Sequence, residues 1–159
     1  MTLAMIVSGG QAGVDRGALD AALRSGFPCG GWCPPGRKAE DGPIPQGYPL
    51  AEMPQGDYRE RTIQNVIDSD GTVIIYFLEL SGGTEQTVLH CVRRSKPYKL
   101  IDASETSAER AATLATSFID KNSIAKLNVA GPRATKVPTA HAYAHDFVSY
   151  LVAQLRAEG

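Results

Sequence analysis

The residues Leu3-Ala4-Met5-Ile6-Val7 run directly into Ser8-Gly9-Gly10-Gln11-Ala12-Gly13-Val14-Asp15-Arg16, and this passage decides the architecture. A short apolar run closed by a glycine-rich turn reads as a buried strand. Val14, Ala18, Ala21, Ala22 and Ser25 then share one face at helical spacing until Gly26 supplies a stop. Strand, glycine turn and helix in that order make a βα unit. The same alternation continues outward from it. Further strands are predicted at 28–33, 72–78, 98–102 and 126–130 after the first at 3–7, and helices at 14–25, 57–67, 84–95, 106–122 and 139–157. Five apolar strands separated by amphipathic helices indicate a parallel sheet covered on both faces. The expected strand order is 2-1-3-4-5, which puts the first and third strands side by side at the point where connections leave in opposite directions.

Composition bounds the answer. The chain has 159 residues, 16 basic and 17 acidic, for a formal charge of −1, with 43% hydrophobic and 21% charged residues. That length suits about one domain, so 1–159 is taken as a single ligand-binding domain, and the apolar fraction is too high for intrinsic disorder. With no net basic charge, nothing draws the whole chain to nucleic acid or anionic lipid. The apolar run Val73–Leu78 is far shorter than the roughly 20 residues of a membrane helix, and the first residues lack a basic secretory n-region. Three cysteines without a C-x-x-C pair suit a reducing compartment. The expectation is a cytoplasmic protein with no membrane and no nucleic-acid partner, and a homodimer or higher homo-oligomer as the default assembly.

Two glycine turns carry the functional signal. Ser8 to Arg16 joins the first strand to a helix start, where bare amides and the helix dipole favour an anion. Asp15 sits awkwardly there for a phosphate. It either accepts from a ribose or pterin donor, pairs with Arg16, or is a plain acid in a first helical turn. The second turn, Ser81-Gly82-Gly83-Thr84, opens another helix with Thr84 placed to cap it. Between them, residues 34–56 hold Pro34, Pro35, Gly36, Gly42, Pro43, Pro45, Gly47, Pro49, Pro54 and Gly56, too many breakers for a regular element. The cluster Arg37-Lys38-Ala39-Glu40-Asp41 marks this segment as a binding lid. The helix that follows displays Tyr58, Arg61, Thr62 and Asn65 at three- and four-residue offsets, a recognition-type polar face.

Other candidates read blandly. Arg133, after the last strand, is expected in a surface turn at the sheet edge. Cys29 and Cys33 are expected as packed cysteines rather than zinc ligands. His141 and His145 are four apart but lack the Glu of a zinc-hydrolase helix, and neighbouring His90 and Cys91 point about 100° apart on a helix, too divergent for a nucleophile pair. No directly coordinated metal is expected. Trp32 is expected in the core, with a stacking platform as the other reading.

Ser8-Gly-Gly-Gln-Ala-Gly-Val-Asp-Arg, Gly30-Gly-Trp-Cys-Pro, Arg37-Lys-Ala-Glu-Asp-Gly, Tyr48-Pro-Leu, Tyr58-Arg-Glu-Arg-Thr, Asn65-Val-Ile-Asp-Ser-Asp-Gly-Thr and Gly82-Gly-Thr together resemble the molybdenum carrier family of bacterial proteins. That family is similar to the Rossmann-like superfamily containing the DprA proteins and the LOG enzymes, whose members bind nucleotides or nucleotide-derived ligands. The resemblance implies a Rossmann-like three-layer α/β sandwich and a phosphorylated heterocyclic ligand, molybdenum cofactor or a nucleotide, held by a carrier or sensor. On this reading Ser8, Gly9, Gly10, Gln11, Gly13, Gly82, Gly83 and Thr84 would hold the phosphate end. Asp15, Arg16, Arg37, Glu40, Arg61, Thr62 and Asn65 would surround the rest. The alternative is a phosphoribohydrolase cleaving an N-glycosidic bond, with Glu40, Asp41 or Glu85 as acid or base. Ala12 stands where the carrier family has Thr, and Gly82-Gly83-Thr84 lacks the spacing of the LOG catalytic motif.

Overall fold

A computed structural model describes residues 3–158. The strands are β1 (Met5–Val7), β2 (Cys29–Gly30), β3 (Trp32–Cys33), β4 (Ala51–Glu52), β5 (Gly71–Tyr76), β6 (Tyr98–Asp102) and β7 (Lys126–Ala130). The helices are α1 (Val14–Arg24), α2 (Tyr58–Asp68), α3 (Gly82–Arg93), α4 (Ala108–Asn122) and α5 (Ala140–Glu158). Five strands form one parallel sheet, and β3 and β4 form a separate parallel pair. The α/β class and Rossmann-like layering are those expected.

The strand order is not. It runs β2-β1-β7-β5-β6, so the last strand in sequence lies between the first and third of the predicted set. Burial explains the placement. Leu127, Asn128 and Val129 are buried together, which a strand needs if both its faces are covered, whereas β6 exposes Tyr98 and Leu100 and so occupies the edge. The turn after β7 is thereby carried to the middle of the sheet's carboxyl rim. Arg133 consequently lies between the two glycine turns rather than at a periphery.

The predicted second strand is broken at Gly31, whose φ of 141° is open only to glycine. A Cβ there would strike the carbonyl of Ser8. The chain therefore leaves the main sheet, and Trp32 and Cys33 pair with Ala51 and Glu52 instead. Trp32 is half-buried and so is not a core residue, and it does not line the cavity described below. Its indole N–H donates to Asp68, while its backbone N–H and carbonyl bond the amide of Asn65.

The two faces of the sheet are packed differently. On one, α1, α4 and α5 bury Ile6, Val73, Ile75, Leu127 and Val129 in a continuous core with Phe147, Leu151 and Leu155. On the other, α2 and α3 rest over a small cluster of Val66, Ile74 and Cys91, flanked by Leu80 and Val88.

The 34–56 segment is ordered from within. Arg37 is 7% exposed, and its guanidinium donates to the carbonyls of Ile44, Pro45, Tyr48 and Leu50 at 2.7–3.2 Å. It is the organising centre of the loop and does not reach out as a lid cation. Arg16 fastens the loop to α1 through both oxygens of Asp41, and its Nε–H donates to the Gly10 carbonyl of the first glycine turn. The Tyr48 hydroxyl donates to Asp20 at 2.7 Å, and Asp20 also meets His141 of α5 at 2.7 Å.

Burial, and then the Asp20 carboxylate, push the Tyr48 phenol up to about 12 from its ordinary 10.0. A raised value means the neutral form is favoured in the fold, so this contribution is intact below pH 10.0 and is lost as pH climbs towards about 12. Tyr48→Phe is expected to lower stability by about 1 kcal/mol at pH 7. It should also flatten that alkaline decline, as read by urea denaturation at several pH values.

Candidate functional site

At the carboxyl rim a cavity of about 680 Å³ opens between α2 and α3, over the end of β7. Its size falls in the usual range for small-molecule sites, about 300–1,000 Å³. One stripe of each helix faces it: Tyr58, Arg61, Thr62 and Asn65 from α2, and Gly83, Gln86, Thr87 and His90 from α3. These offsets of three and four residues are what a single helical face presents. The floor and far wall come from Asn128 through Arg133, with Thr135 and Lys136 beyond.

Of the residues predicted to bind a ligand, Gly9, Gln11, Asp15, Glu40, Arg61, Thr62, Asn65, Gly83 and Thr84 line this cavity. Ser8, Gly10, Gly13, Arg16, Arg37 and Gly82 do not, and for most a structural task is visible. The Ser8 hydroxyl donates to the Asp15 carbonyl. Gly10 faces Ile44 and Leu50 of the loop, and Gly13 abuts the backbone of 132–134. Arg16 and Arg37 are consumed in the loop as described. Gly82 begins α3 one residue beyond its N-cap, Ser81, so that the cap is not Thr84.

In the first glycine turn two amides already have acceptors. The Gln11 N–H donates to the Asp15 carboxylate at 3.2 Å, and the Val14 N–H donates to the Pro132 carbonyl at 3.2 Å. Asp15 thus occupies the place where an anion would sit. Its partner is Arg61, at 3.4 Å, not the adjacent Arg16. Burial pushes the Asp15 carboxyl above the ordinary carboxylate range, while Arg61 and the Gln11 amide pull it down; burial likewise lowers Arg61, with Asp15 opposing. A Cβ at Gly9 would collide with the Arg61 guanidinium, so glycine there is what allows the pair to close.

The second glycine turn is the open one. The Ser81 side chain caps no amide of α3, and a side chain added at Gly83 would meet nothing within 4 Å. First-turn amides of a helix lack intrahelical acceptors, and the dipole makes them a site for negative charge. Lys136 holds its ammonium 2.6 Å from the Ser81 hydroxyl, beside this turn. Arg133 lies over the Tyr58 ring at 4.1 Å from its centroid and 3.9 Å from Glu40, which also accepts from Thr135 at 2.8 Å. Four basic side chains, Arg59, Arg61, Arg133 and Lys136, line the cavity against two carboxylates, Asp15 and Glu40.

Among the described residues, three buried side-chain polar atoms have no partner: Gln11 Oε1, Arg61 Nε and His90 Nδ1. All three belong to residues lining this one cavity. Leaving such a group unsatisfied costs about 1–3 kcal/mol, which makes this cavity the candidate site for a polar guest.

Several of these residues escaped the sequence reading. Arg133 was misplaced with its strand. Asn128 carried a signal: a polar side chain interrupting the apolar run Leu127-Asn128-Val129-Ala130, bonded in the fold to Thr72 on the neighbouring strand. His90 was considered only as a partner for Cys91. Lys136, Thr87 and Gln86 carried no signal that separates them from surface residues.

The chain was compared with known proteins. A family model described as the circularly permutated YpsA SLOG family matches residues 6–152. A solved structure described as a "putative molybdenum carrier protein" from Syntrophus aciditrophicus shares 44% identity, covers 95% of this chain and 96% of its own, and superposes with a TM-score of 0.92. No curated protein matches in sequence.

Replacing one member of the buried pair exposes its energetics. Arg61→Leu should destabilise the fold by about 3–5 kcal/mol at pH 7, because it strands the Asp15 carboxylate. In that variant the folded Asp15 value rises further above the unfolded one, so its stability is greatest below about pH 4 and falls as pH rises. The gap between variant and parent in urea denaturation should therefore narrow from pH 7 to pH 5.

Proposed function

The chain belongs to the circularly permutated YpsA SLOG family, and on that premise we propose that it binds a phosphorylated heterocyclic small molecule, molybdenum cofactor or a nucleotide-like compound, and carries it as cargo. The observation that supports this best is the gathering of three unpartnered buried polar atoms, on Gln11, Arg61 and His90, in one cavity of small-molecule size. An aliphatic guest would leave all three unsatisfied; a heterocycle edged with donors and acceptors would not.

The phosphate belongs at the start of α3. Gly83 and Thr84 offer first-turn amides there, with Lys136 and Arg133 as cations. The neighbour from Syntrophus aciditrophicus bears a carrier's description, and at 44% identity that favours cargo binding here. Among the described residues no group of three or more His, Cys, Asp or Glu is placed to hold a bare metal ion. Molybdenum carried inside its organic chelate would be gripped through the phosphate and ring.

Carriage is favoured over N-glycosidic hydrolysis by how the carboxylates are employed. Asp41 and Glu85 do not line the cavity. Glu40 does, but it is engaged by Thr135 and Arg133. Asp15 is committed to Arg61 and Gln11. A general acid or base needs a carboxyl free to reach the leaving group. Each cavity carboxylate is thus already held through one of its oxygens.

The test uses Gly83, whose added side chain has room. Calorimetric titration with GMP, and with molybdenum cofactor released from a cofactor-dependent enzyme, should give saturable binding of at least one. Gly83→Asp should weaken it by about tenfold or more through charge repulsion at the helix start, and Gly83→Ala should leave it near parental. Undiminished affinity in Gly83→Asp would contradict the placement, and failure of the parent to bind either probe would overturn the reading. Release of free base from GMP during incubation would return the hydrolase alternative.

A further inference from the structure

The cavity-facing stripe of α3 runs from Gly83 to His90. At 1.5 Å per residue these seven steps separate the helix start from His90 by about 10 Å. The cavity therefore has a depth, with amides and ammonium at its mouth and His90 towards its floor, where Asn128 enters from the central strand β7. His90 is 2% exposed and its Nδ1 has no partner, whereas Thr87 and Asn128, which line the same cavity, have theirs: Thr87 donates to the Gly83 carbonyl and Asn128 to Thr72. We infer that His90 is the specificity-determining residue of this cavity. The imidazole turns on binding so that its Nδ1, buried as the ring stands, hydrogen-bonds the edge of the ligand's heterocycle while the ligand's phosphate rests on the first turn of α3.

This deepens the binding reading above and rests on it. The imidazole is suited to the task in its neutral form, which burial favours first and the nearby Arg94, Arg59 and Arg93 reinforce. A neutral imidazole offers one donor and one acceptor nitrogen, so it complements a ring edge by adopting the matching tautomer. It does not attract a second anion into the floor. The span of about 10 Å between helix start and His90 also suits a ligand whose ring is held away from its phosphate by a sugar or a fused ring, and not one in which the two are directly joined. Ligands without a heterocycle would engage the mouth alone.

Three probes separate the two ends: GMP, ribose 5-phosphate and inorganic phosphate, each titrated by calorimetry. The parent protein should bind GMP about tenfold or more tighter than ribose 5-phosphate, because only GMP reaches the floor. His90→Phe, which keeps the ring and removes both nitrogens, should cut GMP affinity about tenfold and leave ribose 5-phosphate unchanged. His90→Asn, whose amide lies near the Nδ1 position, should restore part of the loss. The ring nitrogens of His90 in the parent, followed by nitrogen NMR, should shift on addition of GMP and stay still on addition of phosphate.

Equal losses for GMP and ribose 5-phosphate in both variants would make His90 merely structural and overturn the inference. So would unchanged GMP affinity in His90→Phe, or ring nitrogens that ignore GMP. A parent that binds GMP and ribose 5-phosphate equally would overturn the inference and leave the anion site standing. A parent that binds none of the three would overturn this inference, while the molybdenum cofactor titration above would still decide the binding reading.

Discussion

A buried carboxylate and a buried guanidinium hold the functional half of this molecule in register. Asp15 stands in the first turn of α1 and Arg61 in the second turn of α2, 46 residues apart in the chain, and the closure at 3.4 Å passes directly over Gly9. Because Asp15 also takes the Gln11 N–H, one side chain fixes the strand-to-helix turn and the helix lying across it. A pair of this kind gains little net stability, since removing two charges from water costs nearly what their attraction returns. What it gives is position: an unpaired member would be costly, so α2 is confined to the one placement that satisfies both. The stripe of α2 that walls the cavity inherits that placement.

The same economy explains the loop from 34 to 56. A long segment full of prolines and glycines has many unpaired carbonyls, and Arg37 gathers four of them around one guanidinium. The planar fork of an arginine suits this task, where a lysine would offer a single point of charge. Arg16, Asp41, Tyr48 and Asp20 then fasten the ordered loop to α1. Only its tip, at Glu40, takes part in the cavity.

The alternation of strands and helices was legible because hydrophobic periodicity is local: each element announces itself within about a dozen residues. Most helix boundaries fall within one or two residues of expectation, α3 excepted on the choice of cap. Strand order is a property of the whole chain, and assuming 2-1-3-4-5 sent Arg133 to the edge. The cue that would have corrected it was present in Tyr98-Lys99-Leu100-Ile101-Asp102, whose charges suit an edge, set against the more apolar Leu127-Asn128-Val129-Ala130. The shared face of Tyr58, Arg61, Thr62 and Asn65 on α2, which lines the cavity, was legible from its offsets. The identity of Asp15's partner was not, because pairing across 46 residues depends on where α2 lands. Arg37 misled for a like reason: a charged residue in a loop advertises a ligand contact, and nothing in the local sequence tells that its bonds turn inward.

The unequal lining of the sheet has a mechanical meaning. On the α1, α4 and α5 side a continuous apolar core resists separation, while on the α2 and α3 side Val66, Ile74 and Cys91 give the helices a narrow footing. Regions with few buried apolar groups open at lower free energy than the body to which they belong. The α2 and α3 side is therefore expected to loosen before the opposite slab does, and a guest lodged between those helices, as proposed, would double as missing filling. Loading and stiffening would then be one event, with the slab beneath undisturbed.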